Sequence, residues 1–169
     1  MKQLALFIIG LLFTSQLYAQ EKFTVPEVSP EQKQEILYNH VIAYDLAGIR
    51  FAKSQGVSPQ EYGEYIGKLF KPYWNPAEGF PAFANGMLFI LTGMYPENEI
   101  QIVRQSEKML EFKLKNVDVS FKKGPMYNIT YDEFLACSFG TISVLAEYMN
   151  VEFSHKMMDE WYVMKLVAK

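Results

Sequence analysis

The chain holds little with which to build covalent or metal chemistry. Its 169 residues include one cysteine, Cys137, and two histidines, His40 and His155. A single cysteine excludes an intramolecular disulfide, so the core alone has to hold the fold. Two histidines 115 positions apart exclude the two-histidine helical zinc motif, and no cysteine cluster replaces it. Charge is sparse as well: 21% of residues are charged, the net charge is −3, and no basic stripe runs through the chain. That balance argues against nucleic acid as a partner. The N-terminal apolar run, Leu4 to Phe13, is about half of the ~20 residues that a membrane span needs.

That run has another use. Lys2 precedes it, polar Thr14, Ser15 and Gln16 follow it, and Leu17-Tyr18-Ala19 closes the segment. This is the layout of a secretory signal cleaved after Ala19. The sequence therefore predicts a signal over 1–19, a polar leader over 20–28 and one domain over 29–169. The mature protein is expected to be periplasmic or secreted, with no stable membrane span once the signal is removed and no cofactor. Hydrophobic residues make up 50% of the chain and aromatics 15%. Thirteen Phe, eleven Tyr and nine Met exceed what a minimal core needs. They fit an ordinary aromatic core or the lining of a ligand cavity.

Helix starts are the sharpest local signals. Ser29-Pro30 with Gln32, Ser58-Pro59 with Glu61, and Thr130 with Glu133 each read as an N-cap with its third-residue partner. The first helix carries Leu37, Val41, Tyr44, Gly48 and Phe51 at helical spacing, which predicts its core face, and Gly56 ends it. The second runs to Pro72 with Tyr62, Tyr65, Ile66, Leu69 and Phe70 as its apolar side. A loop over 72–81 and a buried helix over 82–91 follow. Period-two alternation then predicts a hairpin, 99–105 and 108–115, linked by Ser106-Glu107, and a third strand through Val117, Val119 and Phe121. A long helix over 131–149 precedes an extended piece at 151–155 and a final strand at 160–167. That last strand is apolar on both faces, as a central strand under helices would be. Helices grouped apart from strands give an α+β fold: an N-terminal helical layer, a mostly antiparallel sheet of three to five strands, and one long helix packed on it.

Candidate chemistry is thin. His40 and Tyr44 lie one helical turn apart and offer a base or a ligand-orienting pair; a solvated boundary histidine explains them too. Cys137 is either a nucleophile or a small buried hydrophobe. Gly140 interrupts the long helix at a cost of about 1 kcal/mol against alanine, which close packing or an approaching ligand would offset. Thr141 lies one turn beyond Cys137. His155 and Asp159 flank an expected bend and read as a base with its orienter or as a solvated turn. Tyr73, Trp74 and Phe80 on the proline-rich loop read as a lid or as a plug for the core. The expected pocket lies between the first helix and the 131–149 helix. His40, Tyr44, Cys137, Gly140 and Thr141 would line it and Trp74 would border it, with a small, largely apolar or aromatic molecule as the ligand. A hydrolase using Cys137 or His40 and an envelope protein-interaction module are the alternatives.

From about Asn85 onward three segments are arranged in a suggestive order. A charged hairpin (EIQIVRQSEKMLEFKLKN) is followed by a helix with a mid-helix cysteine (YDEFLACSFGTISVLAEYM) and a last strand after an acidic residue (DEWYVMKL). The layout resembles the 4-vinyl reductase-like domains and the thiazoline-carboxylate hydrolase-like proteins. The resemblance implies an α+β fold that binds a small molecule. Such proteins commonly carry a cysteine near the last strand. Asp159-Glu160-Trp161-Tyr162 holds none, so the resemblance transfers no catalytic residue.

Overall fold

A computed structural model describes residues 26–94, 98–116 and 119–169. The signal expected over 1–19 lies outside them, as do 95–97 and 117–118. Four helices and four strands follow in order: α1 Pro30–Ser54, α2 Pro59–Phe70, α3 Gly79–Met94, β1 Glu99–Ser106, β2 Met109–Lys115, α4 Tyr131–Tyr148, β3 Val151–Met158 and β4 Trp161–Ala168. The sheet is antiparallel throughout, in the order β1-β2-β4-β3. The fold is α+β, as the grouping of helices and strands predicts, and among the described residues no helix is long and apolar enough to cross a membrane.

Local sequence sets the helix ends. The Ser58 hydroxyl accepts from the Glu61 backbone N–H while the Glu61 carboxylate takes the Ser58 N–H, a reciprocal capping box. Thr130 and Glu133 repeat it at α4. Gly56, at φ 77°, closes α1 in the left-handed conformation that glycine adopts without steric cost. Lys53 in the last turn of α1 pairs with Glu133 in the first turn of α4.

The sheet buries one face. Leu110, Phe112 and Leu114 of β2 and Tyr162, Met164 and Leu166 of β4 point into the core, where they meet Phe134, Phe139 and Leu145 of α4. β4 is central, between β2 and β3, as expected. Among the described residues, however, helices do not cover both of its faces. Trp161 on the open face is shielded instead by Lys113 and Lys115, whose ammonium groups lie 4.2 and 4.8 Å from its ring centroid. Paired apolar and long basic side chains can therefore give a strand two apolar faces without a second helical layer.

Three other expectations need correction. The α1 stripe Leu37, Val41, Tyr44, Phe51 is exposed by 51–78%, and Ile42, Leu46, Ile49 and Ala52 form the buried face. Both faces satisfy the helical period, so spacing alone cannot choose between them. Residues 119–121 form a 3-10 turn, not a strand, with Phe121 buried against the rings of Tyr131 and Phe134. The hairpin link is Glu107-Lys108, one residue later than expected.

The largest revision concerns α2. Its big side chains do not make its main contact: Tyr65, Leu69 and Phe70 are 46–56% exposed. Gly63 and Gly67, both buried, face α4. A β-carbon at Gly63 would fall on the Cys137 carbonyl, and one at Gly67 would lie 2.8 Å from the Thr141 carbonyl. From the other side, a β-carbon at Gly140 would lie 2.5 Å from the Gln60 carbonyl. The Thr141 hydroxyl donates to the Gly63 carbonyl at 2.9 Å. Two helix backbones thus meet through missing side chains.

Alanine normally stabilises a helix interior over glycine by ~1 kcal/mol. Gly63→Ala is expected to reverse that sign and destabilise by roughly 1–3 kcal/mol through overpacking. Gly93→Ala, in α3 where nothing lies within 4 Å of the added carbon, is expected to stabilise by about 0.4–1 kcal/mol. Urea unfolding of both variants checks the pair, and a stabilised Gly63→Ala protein would contradict the contact.

Candidate functional site

Between the helices and the sheet lies a cavity of about 290 Å³. All four helices and the two central strands contribute to its wall. The lining is aliphatic and aromatic over most of its extent, with Ile66, Phe70, Trp74, Met87, Leu114 and Tyr162 among its residues. Phe70 and Ile90 line it and are also 46% and 43% exposed, so the cavity reaches the surface at that point.

Trp74 enters the wall because of the proline-rich segment. Residues 71–73 and 76–78 form 3-10 turns, and Asn75 caps the second by accepting from the Ala77 N–H. The indole then lies edge-on to Phe83, with ring centroids 5.1 Å apart, over Gly86. A β-carbon at Gly86 would lie 2.6 Å from the indole, so glycine leaves it room. Trp74 is part of the wall and Phe80 is in the core; only Tyr73, 83% exposed, projects from the loop. The segment is a plug rather than a free lid.

The expected site residues separate. Trp74, Cys137 and Thr141 line the cavity together. His40 and Tyr44 do not; both are exposed on α1, on the turn of helix facing away from its buried side. Gly140 does not line it either, because the backbone of α2 occupies the space beside it. The Thr141 hydroxyl is already engaged by the Gly63 carbonyl. His155 is in the body of β3, not at a bend, and stacks on Phe139 with centroids 3.6 Å apart. Partial burial there lowers its pKa, which keeps it neutral at pH 7.

Four polar residues of the wall were not among the expected site residues: Asp45, Tyr62, Ser138 and Tyr162. Asp45 of α1 and Tyr62 of α2 flank Cys137 in the cavity. Among the described residues Asp45 has no hydrogen-bond or ion-pair partner, and burial raises its carboxyl above the ordinary 3.8. Burial, then the neighbouring Cys137, Asp45 and Tyr65, raise the Tyr62 phenol. Burial and Asp45 push the Cys137 thiol up to about 11. A signal for Asp45 was present in the sequence: it is the one acidic side chain between Ile42, Leu46 and Ile49 on the buried side of α1.

The arrangement is a poor one for nucleophilic catalysis. The thiol is protonated at neutral pH, no cation lowers it, and its charged neighbour is an acid. Among the described residues no cluster of histidine, cysteine, aspartate and glutamate would hold a metal ion. What the cavity does offer is apolar volume with a few polar groups at one corner. Comparison with protein-family models, curated proteins and solved structures gave no match.

Two outcomes follow from the polar corner. A carboxyl whose folded pKa lies above its unfolded value destabilises when charged. That cost is complete above the folded pKa and fades as pH falls through it toward 3.8. Asp45→Asn is therefore expected to melt at a higher temperature than the parent at neutral pH, with the difference closing as the solution nears the ordinary carboxylate value; thermal unfolding across that range measures it. Cys137, with its thiol near 11, should react with iodoacetamide at pH 7.5 at least about a hundredfold more slowly than free cysteine. A rate close to that of free cysteine would show an activated thiol.

Proposed function

We propose that the protein is an exported binding domain that holds one small, largely apolar or aromatic molecule between its helices and sheet. The cavity of about 290 Å³ carries the reading. A dry protein cavity of about 150 Å³ accepts benzene, so this volume suits a ligand of roughly twice that size. Aromatic and aliphatic walls supply the affinity, and the corner of Asp45, Tyr62 and Cys137 supplies orientation. Export rests on the signal layout of residues 1–19. The shared layout with 4-vinyl reductase-like and thiazoline-carboxylate hydrolase-like domains is in keeping with a small-molecule binder. Hydrolysis by Cys137 or His40 fits less well, because the thiol is neutral and His40 lies outside the cavity.

A second reading has one observation in its favour. Leu37, Val41, Tyr44 and Phe51 give α1 an exposed apolar stripe, which suits contact with an envelope partner.

Calorimetric titration with 4-phenyl-1-butanol, a neutral probe of suitable size, tests the cavity. Saturable one-to-one binding is expected. Ile66→Trp, which places an indole into the lining, should weaken it at least about tenfold while the domain keeps its circular dichroism. Absence of binding to the parent protein would overturn the proposal.

A further inference from the structure

The cavity wall contains a carboxylate, Asp45, that the described residues leave without a partner. Among the described residues Asp45 has no hydrogen-bond or ion-pair partner, although α1 carries Arg50 and Lys53 further along the same helix. Lys53 is instead committed to Glu133. Arg50 is exposed, on the opposite flank of the buried Ile42, Leu46 and Ile49 face from Asp45. The other titratable side chains in the lining are Tyr62, Cys137 and Tyr162, none of which carries a positive charge in any protonation state. Among the described residues no cation therefore compensates Asp45 from inside the cavity. Removing an unpaired charge from water is costly, and charges that are buried are normally paired. Replacing Asp45 by an apolar residue would remove that cost and complete an apolar wall, so an unpaired acid at this position is best explained by a partner that arrives from outside.

Deepening the reading of the cavity as a ligand site, and resting on it, we infer that the natural ligand is an amphiphilic amine. Its ammonium group pairs with Asp45, and its apolar or aromatic body fills the space bounded by Phe70, Trp74, Met87 and Leu114. The geometry suits this class on two further counts. Tyr62 lines the same wall and is close enough to Asp45 to interact with it electrostatically; its hydroxyl end packs over Gly48 of α1, and an aromatic ring in the lining attracts a cation. A carboxylate only accepts hydrogen bonds, so it selects donors and repels anionic ligands such as fatty acids. The charge pairing is the selective element: it favours amines over neutral isosteres and excludes acids of the same shape.

Three isosteric probes test the inference on the full chain by calorimetric titration: 4-phenylbutylamine, 4-phenyl-1-butanol and 4-phenylbutyrate. At pH 7 the amine is expected to bind at least about tenfold more tightly than the alcohol, and the acid more weakly than either. In Asp45→Asn, which keeps the side-chain shape, the ratio of amine to alcohol affinity should fall to about one, whatever the change in alcohol affinity itself. Alcohol binding with no preference for the amine in the parent protein would overturn the amine inference and leave the cavity reading standing. A preference that survives in Asp45→Asn would likewise overturn the role of Asp45. Failure of all three probes to bind would overturn both readings.

Discussion

The contact between α2 and α4 governs the rest of the molecule. Gly63 and Gly67 on one helix and Gly140 on the other bring two backbones together where any β-carbon would collide with main-chain atoms. The hydroxyl of Thr141 completes the contact by donating to the Gly63 carbonyl, a bond of about 1 kcal/mol net. Glycines carry an entropic cost in helices, so the close approach has to recover it through dispersion across the interface. One consequence is positional. With Gly63 seated on the Cys137 carbonyl, its neighbour Tyr62 is held beside Cys137, and the polar corner of the cavity takes shape.

A second consequence is that α2 has large side chains to spare. Ile66 and Phe70 line the cavity, while Tyr65 and Leu69 face outward. The same division runs through the fold. α1 buries Ile42, Leu46 and Ile49 and leaves Leu37, Val41, Tyr44 and Phe51 at the surface. β4 buries Tyr162, Met164 and Leu166 and shields Trp161 with two lysines. The chain carries more apolar surface than its core consumes, and the surplus goes to the cavity wall, the α1 stripe and the open face of the sheet. Surplus of this kind is common on ligand-binding and interacting proteins.

The cavity combines volume with restraint. Its thiol is neutral and its hydroxyl at Thr141 is occupied, so neither is poised for chemistry. Asp45 alone brings uncompensated charge, and it brings it to a wall that is otherwise apolar. A site of that composition discriminates by charge at one end and by shape elsewhere, the division of labour expected of a binding pocket.

Local chemistry was legible from the sequence wherever it acts over a few residues. The capping boxes at Ser58 and Thr130, the glycine closure of α1 and the β1–β2 hairpin depend on neighbours in the chain or on strand alternation, and the sequence by itself determined them, along with the α+β class. Part of the site was legible too: Trp74, Cys137 and Thr141 do share one wall. Tertiary structure decided the rest. Which of two apolar faces α1 buries, whether Gly140 leaves room for a ligand or for another helix, and whether Asp45 has a partner all depend on what packs opposite. Helical periodicity marks a face as apolar but carries no information about the surface it meets. A glycine likewise states only that something comes close, and only the packed fold shows that here it is the backbone of α2.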